Sequence, residues 1–463
     1  MNPELRRNLW LQFSGLRLII APVATGIVLL LVWLATHSPA ILADSARWIY
    51  LLVVLIWGTR RAADLVAEET AGGTWDSQRM SALGAWQMTW GKFIGGISYV
   101  WYIAGFAFAI HVWARGLAGA MPWQGDEAVD DLHLIGTGLL GQAVSFVTSL
   151  VLLRKQIGRR RLGVTLSQVA GLGASAIASG HLDLSALFRR MAVIDWFGRP
   201  YPGAEFALVT LCLFLAWSLL GAYRLMRIEL QFRTIPWAWA AFALFVMAYA
   251  EGLLYGPIHA AGNSPGPWLS GPFVIGVLLT YAALFLEPKD VVRYRGLWAA
   301  LAAGRMGRAV TLLPQWLAVY LIAAALGIAV AVFGGFSELP GIPAMVVPVL
   351  GALELGVADS WRVLPVALVL YLMRDILIVL FFNFGARGGR ADMTAFICLM
   401  LAYFPVLWIL ALLGANALIP LVAPYPAASP LITIGAPMIE CSIMVVLVLW
   451  RAQAAGRFRP AAA

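Results

Sequence analysis

The chain has 463 residues, of which 62% are hydrophobic and 12% charged, and its mean hydropathy is +0.84. A soluble domain is about half apolar and about a quarter charged, so this composition excludes a water-soluble enzyme and intrinsic disorder. The net charge of +9 is read as arginine gathered in the inner loops of a membrane protein, with no nucleic-acid partner expected.

What remains is an all-α polytopic integral membrane protein. Its apolar runs are long and continuous, unlike the alternating strands of an outer-membrane barrel. Asn2-Pro3-Glu4 opens a first helix. Leu5, Leu9, Phe13 and Leu16 share one face, with Arg6, Arg7 and Arg17 off it. That pattern predicts a helix lying along the membrane surface on its leucine face. The first apolar run has no small-residue cleavage site after it and is expected to be retained.

Spans of roughly 20 residues are expected near 16–36, 46–63, 93–114, 132–153, 162–181, 203–225, 236–255, 270–287, 314–336, 362–383, 394–415 and 431–451. That gives about twelve helices. The run 162–181 is rich in Gly, Ser and Ala, as suits a tightly packed interior helix. Cys212, Cys398 and Cys441 all fall inside apolar runs and read as core residues, without disulfide or metal spacing. The five histidines, His37, His111, His133, His181 and His259, fall near the outer face with no two at helical i, i+3 or i+4 spacing, so no metal site is expected. The outer segment 182–202 reads as an amphipathic piece that re-enters the membrane.

Charge tests this layout. With the N-terminus inside and the spans alternating, the outer segments hold only Arg47, Arg115, Arg189, Arg190, Arg199 and Arg362, of 32 Lys and Arg in all. Arg374 lies within a span. Positive charge is thus kept inside, which predicts two cytoplasmic termini in a bacterial inner membrane. The chain divides near 230 into two six-helix halves, 1–230 and 231–463. In each half the longest inner loop follows the second span, at 59–92 and at 288–313. This spacing reads as a parallel six-plus-six repeat.

Loop 59–92 is the most informative segment. Span two is expected to continue as a helix through Ala62, Leu65, Val66 and Glu69 until Gly72-Gly73 stops it. Thr74 is a candidate N-cap for a second helix. Trp75, Met80, Leu83, Trp86 and Trp90 would form its broad apolar face. Glu68 and Glu69, then Gly73-Thr74, Leu83 and the closing Gly91-Lys92 together resemble a stretch after the second helix of ABC-2 type permeases, the membrane subunits of ATP-binding cassette exporters. Ser81, Ala82 and Gly84 stand where that family has Thr, Pro and Ser. Loop 288–313 shows no such motif.

The resemblance implies an export permease without its own ATPase site, and so not itself an enzyme. Gly91-Lys92 runs into Phe93 and lacks the phosphate-loop spacing, so ATP would be used through a soluble nucleotide-binding partner subunit. In that reading Glu68, Glu69, Gly73, Thr74, Arg79 and Lys92 form the polar side of the docking loop. Trp75 and Leu83 supply its apolar contacts. Membrane lipid and a second copy of the chain are the other expected partners.

Ionisable groups inside a span are costly and are paired or functional. Arg374-Asp375 and Glu440 lie mid-span, with Arg374 and Glu440 at similar depth, about 15–18 Å from the outer ends at 1.5 Å per residue. They are expected to pair. A rival reading uses Arg374, Asp375, Glu251 and Glu440 as the ion-coupling groups of a secondary transporter. A third reading is a membrane enzyme of envelope assembly, although no catalytic set falls within one loop. The mostly apolar spans lean toward a lipidic or amphipathic substrate.

Overall fold

The computed structural model describes residues 2–119, 125–155, 160–179, 193–232, 234, 237–259, 265–334, 336, 358–385 and 390–457. The protein is all-α and multi-pass: eleven of the described helices are long and apolar enough to cross a membrane. The chain forms two units. One holds Met1–Ile194 and Pro200–Thr234, the other Asp195–Arg199 and Ile235–Ala463.

The first unit opens with α1 (Pro3–Gln12). The Asn2 side chain caps it by accepting from the backbone N–H groups of Glu4 and Leu5, at 3.0 and 3.5 Å, and Pro3 fits the first turn because its missing N–H is one that the helix leaves unpaired. Next come α2 (Gly15–Thr36), α3 (Pro39–Leu51) and α4 (Gly58–Ala71), the last two joined by a π-helical turn over Leu52–Trp57. A short α5 (Trp75–Arg79) leads to the long α6 (Ala85–Leu117). α7 (Asp126–Arg154), α8 (Arg160–Ser179) and α9 (Gly203–Glu229) complete the unit.

A π turn widens the helix and loosens its regular carbonyl pairing. In an apolar surrounding those carbonyls need donors. Here side chains supply them: Gln142 Nε2 on α7 donates to the Val54 carbonyl at 3.0 Å, and Gln168 Nε2 on α8 donates to the Ile56 carbonyl at 3.0 Å. The π turn therefore fixes where α7 and α8 lie.

Of the run 162–181, the described residues 162–179 lie in α8, which is not among the eleven spanning candidates. Arg160, Arg161 and a string of polar and small residues lower its hydropathy. Its small residues do pack tightly on one side. A Cβ added at Gly171 would meet the Ser145 side chain at 2.0 Å and the Gly141 carbonyl at 2.3 Å on α7. The opposite side is not interior, since Leu162, Leu166, Val169 and Ile177 are exposed.

The face that α1 turns to the rest of the unit is polar. Its buried residues are the polar ones, Glu4, Asn8 and Gln12, while Trp10 and Leu11 are exposed. Leu5 and Leu9 are half-buried. The reason is the surface that α1 meets: Gly91 and Gly95 leave a shallow groove on α6. A Cβ at Gly91 would lie 2.6 Å from Glu4 Cβ, and one at Gly95 would lie 2.6 Å from Asn8 Cβ. At this close approach Leu5 packs at the edge of the groove, with its Cδ1 3.4 Å from a Cβ at Gly95, and Asn8 Nδ2 donates to the Gly91 carbonyl at 3.3 Å.

The second unit contains α10 (Trp237–His259), α11 (Pro265–Leu286), two short helices α12 (Val291–Ala302) and α13 (Met306–Leu312), then α14 (Gln315–Val332). It continues with α15 (Ala358–Asn383) and α16 (Ala391–Leu401), which runs through a π turn at Ala402–Val406 into α17 (Leu407–Leu412). A 3-10 turn at Asn416–Leu421 precedes α18 (Pro430–Arg457). Its core gathers buried residues of α11, α14 and α15, among them Phe273, Leu284, Val330, Leu372 and Ile376. Glu287 anchors the α12–α13 segment by pairing with Arg293 and accepting from the Gln315 backbone N–H at 2.7 Å. Tyr294 is half-buried there, desolvation pushes its hydroxyl pKa up, and its oxygen accepts from Trp316 Nε1 at 3.0 Å.

Of the expected re-entrant segment 182–202, the part 182–192, with Arg189 and Arg190, lies outside the described residues, as does His181 before it. The remainder is a two-stranded hairpin, β1 (Val193–Trp196) and β2 (Arg199–Pro202), and not a helix.

The close approach of α1 to α6 predicts a specific failure. Gly95→Leu should drive α1 off its groove. In a Leu5→Cys background, maleimide labelling of the half-buried cysteine is expected to become several-fold faster than with Gly95 in place.

Candidate functional site

Loop 59–92 is built from the inside outward. α4 ends at Ala71. Gly73 then takes φ +69, a left-handed conformation that suits glycine. Thr74 stands at the N-terminus of α5 but does not cap it, since its hydroxyl donates backward to the Glu69 carbonyl at 3.2 Å. α5 is a single turn. Gly84 then precedes α6 in extended conformation, and its N–H donates to Gln87 Oε1 at 3.4 Å. The expected continuous apolar face from Trp75 to Trp90 is therefore not formed. Trp75 is 4% exposed and Met80 is 83% exposed.

The centre of the site is Lys92, 2% exposed. Its ammonium donates to Glu4 Oε1 at 3.0 Å, to Gln78 Oε1 at 2.6 Å, and to Glu69 Oε2. It also lies 5.3 Å from the centre of the Trp75 ring. Gln78 Nε2 donates to Glu69 Oε1 at 3.0 Å. Arg7 Nη1 reaches Glu69 Oε1 at 3.1 Å and Glu4 Oε1 at 3.3 Å. Two cations and two carboxylates leave the cluster neutral. A buried ammonium is tolerable only when its charge and its three N–H donors are all answered, and here they are. One lysine thus joins α1, α4, α5 and α6.

A second tie runs from Arg79. Its Nε donates to the Glu229 carbonyl at 3.0 Å, and Glu229 lies 3.6 Å from Arg154 Nε. The turn of α5 is thereby held to the ends of α7 and α9. Leu83 packs beside Trp75 on the core that includes Met88, Phe146 and Met226.

These positions change the roles expected of individual residues. Trp75 and Lys92 are buried, and Glu69 and Leu83 are half-buried, so all four are turned inward and hold the loop together. Arg79 is occupied by Glu229. Glu68 is 54% exposed and pairs with Arg61 at 2.7 Å. The outer surface is made by Glu68, Gly73, Thr74, Asp76, Met80 and Trp86. Glu4, Arg7 and Gln78 belong to the site and were not expected. The polar stripe Glu4, Asn8, Gln12 at helical spacing was the available signal.

The second unit holds the intramembrane charges. Arg374 and Glu440 do meet, with Nη1 2.7 Å from Oε2. Arg374 Nε donates to Asp375 Oδ1 at 2.9 Å, and Nη2 lies 2.8 Å from the same oxygen. Nη2 also donates to the Tyr403 hydroxyl at 2.8 Å, and Nη1 to the Val422 carbonyl at 2.9 Å. The hydroxyls of Tyr403 and Tyr281 each donate to Asp375 Oδ2, at 2.7 and 2.5 Å. The guanidinium stands over the rings of Tyr371 and Tyr403. Glu251 makes no hydrogen bond with this cluster among the described residues, and its Oε2 is buried without a partner. No sequence pattern pointed to the tyrosines, which come from distant helices.

At the far end of α6, His111 Nδ1 lies 2.8 Å from the Ala43 carbonyl, and Arg115 pairs with Asp131 at 2.9 Å. Among the described residues, no group of three His, Cys, Asp or Glu could hold a metal ion.

No family model matches the chain, and no curated protein or solved structure matches it. The functional reading therefore rests on these residues.

Removing the central ammonium tests the site. Lys92→Met removes the ammonium that both Glu4 and Glu69 contact, a loss of about 3–5 kcal/mol for a broken buried pair. Arg7, with 42% of its side chain exposed, gives at most about 1 kcal/mol. In thermal unfolding of the detergent-purified chain, Lys92→Met should lower Tm far more than Arg7→Met.

Proposed function

We propose that the protein is the membrane permease of an ABC-2-like exporter, and that loop 59–92 receives a separate, soluble ATPase subunit. The single observation that carries this reading is the construction of the loop. Its interior is locked by Lys92, and its outer face presents Glu68, Thr74, Asp76 and Met80 without burying them.

An exposed methionine beside carboxylates is an adaptable contact for another protein. Because Lys92 and Arg79 tie α5 to α1, α4, α6 and α9, a push on α5 reaches the ends of most of the first unit's helices. ATP binding and hydrolysis in the partner would thus move spans, and a substrate would cross or leave the membrane. The chain itself supplies no phosphate-binding loop. In this reading both termini and loop 59–92 face the cytoplasm of a bacterial inner membrane, as the arginine distribution favours. The substrate would be lipidic or amphipathic, and two chains could pair.

Ion-coupled transport is the second reading, favoured by the intramembrane charges of α15 and α18. It requires an ion gradient and no ATPase.

The test is a mild-detergent pull-down of the tagged chain from its native membranes. A soluble ATPase is expected near stoichiometric amount. Met80→Glu with Glu68→Lys should reduce its recovery at least tenfold while Tm stays within a few degrees. Recovery of the intact chain with no ATPase overturns the reading and favours ion coupling.

A further inference from the structure

The charge cluster of the second unit borders a cavity of about 220 Å³, lined by Arg374, Ile378, Leu399, Glu440, Ile443 and Met444. At roughly 30 Å³ per water molecule, that is room for about seven waters or an alkyl chain of similar atom count. The cavity lies between α15, α16 with its π turn, and α18. Its mouth carries Cys398 and Ile443, both exposed.

Two facts decide what fits there. First, Arg374 has nothing left to offer an anion. A guanidinium has five N–H donors, and all are directed at Asp375, Val422, Glu440 and Tyr403. Second, Glu440 is only half used. Its Oε2 accepts from Arg374, whereas Oε1 has no hydrogen-bond partner among the described residues. Asp375, by contrast, has both oxygens satisfied, by Arg374, Tyr281 and Tyr403. One guanidinium faces two carboxylates, which leaves one negative charge, and Glu440 is among the residues that line the cavity. A charge in that position inside a span is costly unless a cation joins it.

We propose that this cavity binds an unbranched alkylammonium, with the ammonium on Glu440 and the chain along Ile378, Leu399, Ile443 and Met444. The apolar walls set the chain, the carboxylate sets the sign of the head group, and the size sets a length near eight carbons. The site lies within the second unit and does not depend on an ATPase docking to the first.

Cys398 reports on occupancy. The full-length chain in detergent is labelled with N-ethylmaleimide near neutral pH, where an alkylamine with pKa about 10 is charged, and adducts are read by peptide mass spectrometry. Cys212, exposed on α9 of the first unit, is the internal control for micelle effects. Octylammonium at ten times its dissociation constant should slow Cys398 labelling about tenfold without changing Cys212. Octanol and octanoate should not protect. Glu440→Gln should abolish protection by octylammonium. Met444→Trp, which fills the cavity and keeps the carboxylate, should do the same and serves if the first variant fails to fold. Equal protection by octanol, protection retained in either variant, or no protection by octylammonium overturns the proposal.

Discussion

An ammonium ion cannot rest inside an apolar helix bundle without answering charge, and Lys92 is such an ion. Everything at its end of the first unit is arranged around that constraint. Glu4 must come inward, which turns the polar stripe of α1 toward α6. Gly91 and Gly95 must be small, because α1 approaches α6 along them. Glu69 must sit on the last full turn of α4, and Gln78 on the single turn of α5. The Gly72-Gly73 corner follows from bringing those two turns together over so short a connection. Removing the lysine would leave two carboxylates in a place where neither is tolerable alone.

The second unit solves a related problem differently. Arg374 and Asp375 are neighbours in sequence and share a span, so part of their charge is answered locally. Tyrosine hydroxyls from α11 and from the π turn after α16 complete the shell. Such groups cost less to bury than further charges, and they fix the rotamers of both residues. Glu440 is the member held least completely, and it lies beside the cavity. Lys92 and Arg374 thus each sit at the middle of a charge cluster, but the first cluster is neutral and closed whereas the second carries an excess negative charge beside an open space.

Much of the fold could be read from composition and hydropathy, because the length of an apolar run is set by bilayer thickness and shows directly in the sequence. The glycine corner at Gly72-Gly73 and the depth match of Arg374 with Glu440 were readable for similar reasons, since both depend on local conformation or on counting along a helix. The interior of loop 59–92 was not. Trp75 and Leu83 look like exposed contacts when a single helix is assumed, but the break at Met80–Gly84 turns both toward the core and leaves Met80 outside. The inward turn of α1 was missed for another reason. Leu5, Leu9 and Phe13 form an apolar face, and only the glycines some eighty residues later decide that the adjoining polar stripe is the one buried. Tyr281 and Tyr403 were hidden because hydroxyl partners drawn from separate helices leave no periodic trace.

The orientation of α1 has a mechanical consequence. Glu4 and Asn8 grip the protein, while Trp10 and Leu11 point away from it, and an indole of that kind prefers the level of lipid head groups. The ten-residue rod is held to the buried lysine through Glu4 on one side, and on the other its exposed Trp10 would meet lipid if α1 lies at a bilayer surface. Stretching or thinning that bilayer would then pull on Trp10, and the strain would arrive at Glu4. On the proposed function, the height of loop 59–92 would depend on the lipid as well as on the chain.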